Sequence, residues 1–206
     1  MALTTYAGLK TAIANWLDRS DLTSYLDDFI DLAEARIGRE LRIRQMETQG
    51  TETLVSSTRE YSLPSDYLQM RNMQLNTSPI TSLEYISPEM MDRLWAGSTT
   101  GVPLAYTIIR DKIQLGPAPD SAYTLEYTYF AKPGALSDTE NGLLSTIPDI
   151  YLYASLLEAE PFVQNDERIA LWMNAYKEAV RSAQESNDKD RHSGSSLRVM
   201  NETGSP

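Results

Sequence analysis

The chain is 206 residues long and 41% hydrophobic, has no cysteine and one histidine, and carries a formal net charge of −11. That length suits one or two domains with a real buried core. The composition excludes a disulfide framework, a thiolate nucleophile and Cys-ligated zinc, and His192, alone in a polar C-terminal stretch, excludes His-dependent triads and His-built metal sites.

The N-terminus lacks the basic start and long apolar run of a signal peptide, and no stretch approaches the roughly 18 apolar residues of a membrane helix. A protein that stays in the cytoplasm where it is made, with no membrane partner, is expected. From residue 188 onward Lys189, Arg191 and Arg198 cancel Asp188, Asp190 and Glu202, so the whole −11 sits on residues 1–187. Gripping nucleic acid needs Lys and Arg on one face. An acidic body suits a surface that nucleic acid slides past.

The first predicted helix spans 6–17, capped by Thr4 or Thr5, with Leu9, Ile13, Trp16 and Leu17 at helical spacing. Arg19-Ser20-Asp21 is a turn. The second spans 25–44, about 30 Å. Ser24 with Asp27 resembles a capping box, and Leu26, Phe29, Ile30, Ala33, Ile37 and Leu41 form one apolar stripe. Asp27, Asp28, Asp31 and Glu34 occupy its first half and Arg36, Arg39, Arg42 and Arg44 its second, an order that complements the helix dipole.

Strand signals follow at 51–55, 59–63 and 67–75, with Pro64-Ser65-Asp66 as the turn between the last two, and again at 83–86. Ser87-Pro88-Glu89 opens a short helix to about residue 95. Segments 103–109 and 112–115 flank Arg110-Asp111 at hairpin spacing, and Gly116-Pro117-Ala118-Pro119-Asp120 breaks the chain. Over 123–130 Tyr123, Leu125, Tyr127 and Tyr129 share one strand face.

Ile147-Pro148-Asp149 starts a third main helix, continued by Ile150, Tyr151, Ala154, Leu157 and Ala159, which Pro161 should kink or end. Asn165-Asp166 caps a fourth, to about residue 185, with the stripe Ile169, Trp172, Met173, Tyr176, Val180 and Ala183. Residues from 186 onward are polar and read as disordered. The expected fold is α+β: a helical bundle from the N- and C-terminal helices (1–47 and 132–187), a β-rich insertion between them (48–131) and a flexible tail (188–206).

Evidence for catalysis is close to nil, with no phosphate loop, G-x-S-x-G or H-E-x-x-H. Asp27 and Asp31 share a helix face and could serve acid–base work or a divalent metal, but acid in the first turns of a helix explains them fully. Arg36, Arg39, Arg42 and Arg44 read as a solvated helix end, an inter-subunit clamp, or a nucleic-acid contact. Tyr123, Tyr127 and Tyr129 could stack on sugars or bases, although alternating tyrosine is ordinary patterning for a strand packed on a core.

Several segments, taken in order, resemble the head-to-tail adaptor (connector) family of tailed bacteriophages: Leu17-Asp18-Arg19-Ser20-Asp21-Leu22, Phe29-Ile30-Asp31-Leu32-Ala33-Glu34-Ala35-Arg36-Ile37, Arg39-Glu40-Leu41-Arg42, Leu63-Pro64-Ser65-Asp66-Tyr67 with Arg71, Gly101-Val102-Pro103 ahead of Tyr106, Leu115-Gly116-Pro117-Ala118-Pro119, Ile147-Pro148-Asp149-Ile150-Tyr151, and Leu156-Leu157-Glu158-Ala159. The resemblance implies a structural virion protein with no active site and no cofactor. It implies a dodecameric homo-oligomeric ring below the portal protein that extends the DNA channel and seats a tail or nozzle protein. Leu197, Val199 and Met200 are the apolar cluster of the tail and, with Arg198 between them, candidate anchors on the portal or a neighbouring subunit. Other readings are a nozzle or receptor-binding base, or a small metal-dependent enzyme using Asp27 and Asp31.

Overall fold

The structure is a computed structural model that describes residues 3–97, 99–137, 141–163 and 167–192. Its elements in chain order are α1 (Tyr6–Leu17), α2 (Leu26–Glu40), β1 (Glu47–Thr53), β2 (Glu60–Ser62), β3 (Tyr67–Leu75), β4 (Thr81–Ser82), β5 (Glu84–Tyr85), α3 (Pro88–Leu94), β6 (Thr100–Gly101), β7 (Ala105–Ile109), β8 (Lys112–Gly116), β9 (Ala118–Pro119), β10 (Thr124–Ala131), α4 (Gly142–Thr146), α5 (Pro148–Glu158), α6 (Glu160–Val163) and α7 (Arg168–His192). They fall into two compact units, Met1–Gln45 with Pro133–Pro206, and Met46–Lys132.

The expected architecture, a four-helix bundle with one β-rich insertion and a tail from 188, is overturned. Among the described residues there are seven α-helices, and the strands, central in the chain and interspersed with helix, form three separate sheets. Two extra helices come from local chemistry too short to show as periodicity. Asn141 caps α4, its Oδ1 accepting the Leu144 N–H at 2.9 Å. Pro161 does interrupt the helix, but by occupying the short separate helix α6, after α5 has ended at Glu158. Helix α7 continues to His192, through the first residues expected to be tail. The Asn165-Asp166 cap lies outside the described residues.

In the first unit α5 is the centre. Ile150, Tyr151, Leu152, Ala154, Ser155, Leu156 and Leu157 are buried around its whole circumference, as expected of a helix inside a core, and α1, α2, α4, α6 and α7 all pack against it. Its two buried hydroxyls are satisfied, Ser155 Oγ donating to the Tyr151 carbonyl at 2.8 Å and the Tyr151 hydroxyl accepting from Asn141 Nδ2 at 3.3 Å. Helix α1 starts as expected, Thr5 Oγ1 accepting the Gly8 N–H at 3.1 Å. The Ser24–Asp27 box does not form: Ser24 lies in a 3-10 turn over Thr23–Tyr25, Tyr25 stands at the N-cap position and no side chain caps α2, while the Asp27 carboxylate takes hydrogen bonds from Tyr6 and Lys10 of α1.

In the second unit one sheet runs β1-β10-β3-β4, another β2-β8-β7-β5, and β6 pairs with β9. Both four-stranded sheets feed one apolar cluster, including Leu54, Met73, Leu75, Ile113, Leu115 and Leu125. The β7–β8 hairpin turns without glycine because Arg110 adopts φ 57°. Helix α3 is capped by Ser87, whose side chain accepts the Met90 N–H, and lies over Gly116. A Cβ there would stand 2.4 Å from Met91 Sδ and 2.5 Å from Trp95 Cε3. Met91 is fully buried, so it has nowhere to move. Gly116→Ala is therefore expected to cost about 2 kcal/mol by overpacking. Urea denaturation of the full chain checks this, and an unchanged midpoint would mean that α3 is not seated on Gly116.

Candidate interaction surface

The four arginines of the basic half of α2 and its exit do different things. Arg36 Nε donates to Glu158 Oε1 of α5 at 2.7 Å, both side chains are largely shielded, and its guanidinium lies 5.9 Å from the Tyr176 ring of α7. Tyr176 in turn donates to Glu40 Oε2 at 2.8 Å; burial first, and that carboxylate second, push its hydroxyl well above the usual tyrosine range. Arg36 is thus the hub tying α2, α5 and α7 together. Arg42 turns back to close the helix, donating to the Gly38 carbonyl at 2.8 Å and the Leu41 carbonyl at 2.5 Å, which satisfies terminal acceptors left by the end of α2. α2 stops at Glu40 rather than continuing to 44, the backbone turning extended at Leu41 with φ −101° and ψ 136°.

Arg39 and Arg44 are exposed. Arg44 is fixed through its backbone, whose N–H donates to Asn187 Oδ1 of α7 at 2.7 Å, while its guanidinium stands 3.9 Å from Asp190 and is more than half exposed. A polar groove of about 240 Å³ opens beside it, lined by Ile43, Ile147, Asp149, Ser182 and Asn187 among others. Carboxylates on both sides of one cation make it a surface for polar contact, not an anion site. Leu197, Arg198, Val199 and Met200 lie outside the described residues.

Removing Glu158 leaves Arg36 partly buried without its partner. Glu158→Ala is expected to cost about 2 kcal/mol, between the figures for exposed and fully buried pairs. A double-mutant cycle with Arg36→Ala checks it, with a coupling of about 1 kcal/mol expected and near-additive losses counting against the pair.

The remaining candidates are structural. Asp27 is engaged by Lys10 at 2.7 Å and by Tyr6; Lys10 first and Tyr6 second hold its carboxyl below the usual range. Its contribution to stability is present above the unfolded-state pKa and lost as pH falls through the folded one. Among the described residues no group of three His, Asp or Glu side chains could hold a metal. Tyr127 and Tyr129 are buried with ring centroids 5.8 Å apart, and Tyr129 donates to Asp66 Oδ1 at 3.0 Å. Burial, then that bond, push Tyr129 up to about 12. Tyr123 packs against the same core and donates to Asp120 at 2.7 Å. These tyrosines are core residues and not an open stacking face.

The segments behind the adaptor resemblance are therefore pieces of fold chemistry spread along the chain, and the comparison with known families agrees in extent: the family model described as SU10 adaptor protein matches residues 4–200. The chain belongs to the SU10 adaptor protein family. No curated protein matches it. Membership makes the chain a structural adaptor of a phage particle, a virion component that contacts other head or tail proteins. Among the described residues, no helix is long and apolar enough to cross a membrane.

Within this SU10 adaptor family member, Leu63-Pro64-Ser65-Asp66-Tyr67 is a structural turn. The Tyr67 N–H closes on the Pro64 carbonyl at 3.1 Å, and the Asp66 carbonyl accepts the Lys132 N–H at 2.6 Å. Arg71 lies 3.3 Å from Glu47 and 5.9 Å from the Phe130 ring. A motif whose side chains are consumed by folding marks a shared architecture, and its surfaces, not its motifs, meet partners.

Proposed function

We propose that this adaptor assembles as a homo-oligomeric, dodecameric ring that joins the portal to the tail or nozzle and extends the channel through which DNA passes without specific binding. The observation that carries this reading is the adaptor family match over nearly the whole chain. A ring with one rotation axis needs two different complementary faces on each subunit, and the net charge of −11, all of it on residues 1–187, suits a channel wall to which DNA does not stick.

Arg39 and Arg44, exposed at and beyond the end of α2, are the members of the arginine run free to meet the portal or a neighbour, with Leu197, Arg198, Val199 and Met200 as further anchors. Arg36 and Arg42 support the same surface from within. Because like-charged subunits repel, the free chain is proposed to be monomeric and to form its ring on the portal as template. Sedimentation at micromolar concentration, with and without portal, tests this. Co-sedimentation of a ring with the portal supports the function, a stable ring without portal removes the templating step, and no association with portal in any condition overturns the reading.

A further inference from the structure

We propose that the apolar groove along α1 receives the segment Leu197-Arg198-Val199-Met200 of a second copy of this chain, so that the C-terminal residues of each subunit hold the next. This rests on the ring reading above.

The groove has a volume of about 490 Å³ and a mostly apolar lining. It is about twice as roomy as the polar groove beside Arg44. Ala7, Thr11 and Ala14, which follow one another along a single face of α1, line it together with Tyr6 and with Leu26 at the start of α2. The short side chains of that face reach nothing that could cover it. Apolar surface in a concave site of this size is favourably removed from water by a ligand side chain, and the volume is that of a site for a few such side chains.

The rim of the groove is acidic. Its one cation, Lys10, is held by Asp27 at 2.7 Å. Asp31 is exposed and stands close enough to Tyr6 for its charge to act on that hydroxyl. Burial first, then the bond to Asp27, then the charges of Asp27, Asp31 and Glu34 push Tyr6 well above the usual tyrosine range. Asp27 and Asp31 against Lys10 alone leave the rim net negative. Its complement is an apolar segment with one cation inside it. Leu197-Arg198-Val199-Met200 has that composition, and Arg198 is the one base after His192.

Reach decides which copy supplies the segment. Gln184 of α7 lies at the far end of α2, its Nε2 donating to the Glu40 carbonyl at 3.4 Å. Asn187 holds the Arg44 N–H beyond it, and α7 runs on to His192. The groove is at the other end of α2, beside Leu26, and α2 alone separates the two by about 21 Å along its axis. Leu197 is five residues past His192, roughly 17 Å at full extension. The first anchor therefore falls short of the groove of its own chain, and a neighbour in the ring brings the two together. Groove and segment are the two unlike surfaces that a rotational contact requires. Subunits tied in this way attach to a portal template together, so loss of the tie and loss of portal attachment go together.

The chain has no cysteine, so placed thiols are its only ones. Thr11→Cys lies in the groove and Asn201→Cys next to Met200. Full chains carrying both, assembled on the portal and oxidised, should give a ladder of disulfide-linked multimers on a denaturing gel, and a mixture of the two single variants should give linked pairs. Arg198→Glu should weaken the ring by on the order of 10-fold, Asp31→Lys added to it should restore the ring, and both chains should keep the parent melting temperature when free. A ring in which the doubly substituted chain forms no disulfide overturns the proposal and leaves the ring reading standing. A disulfide closed within single chains overturns the second-copy assignment. A ring indifferent to Arg198→Glu, or weakened without rescue by Asp31→Lys, overturns the pairing of Arg198 with this rim. Absence of any ring from the parent chain on its portal overturns the ring reading and this proposal with it.

Discussion

Trp172→Ala is expected to destabilise the helical unit by about 3–5 kcal/mol, the range for truncating a large buried aromatic. Trp172 is 2% exposed and sits at the start of α7, the Arg168 guanidinium lying 5.1 Å from its ring centroid. Arg168 also donates to the Trp16 carbonyl of α1 at 2.8 Å, so the indole supports the residue that links α7 to α1. One turn on, Tyr176 is also buried and belongs to the Arg36–Glu158 network. Urea unfolding of the full chain, with Trp172→Phe as a partial-volume control, measures the loss. A change under about 1 kcal/mol would mean that α7 is not seated on the core. The main partner of α7 is α5 rather than the first two helices, since α5 is apolar all round.

The second large effect is expected at the C-terminus, where a truncation should abolish portal attachment and leave the fold intact. The cut belongs after His192, not after Asn187. Asn187 is buried at 8%, and its Oδ1 holds the Arg44 N–H, so cutting at 187 would remove the rest of α7 and disturb a working contact. Beyond His192 the apolar residues are Leu197, Val199 and Met200. Binding through a short segment pays an ordering cost, so it should depend on those few anchors and not on the surrounding Gly and Ser. Both the truncation and Leu197→Ser with Val199→Ser should keep the parent melting temperature and lose portal co-sedimentation. Undiminished co-sedimentation of the truncated chain would assign the whole interface to residues before 193.

What was legible in the sequence was local. The bounds of α1 and β3 are as the periodicities predicted, because a Thr5 cap and a strand following Pro64-Ser65-Asp66 act over a few residues. Arg36 could not be told from Arg39, because its partner Glu158 is 122 residues away in sequence. Ser24 does not cap because it is taken up in the 3-10 turn Thr23–Tyr25, one residue before the N-cap position, and Asp27 is claimed by α1. The end of α7 reads as tail in sequence because its apolar stripe stops near Ala183, whereas Asn187 and Asp190 engage Arg44 instead of the core. β1 begins at Glu47, ahead of the strand signal at 51–55, for a similar reason: it has no apolar alternation to read, and its register is dictated by β10.

The central claim is that this chain is a ring-forming adaptor seated on a portal. Negative-stain imaging of the full chain mixed with its portal tests it most directly. The account predicts portals carrying an added ring of twelve-fold symmetry coaxial with the channel. Portals that remain bare at saturating adaptor, with the chain still folded, would contradict it.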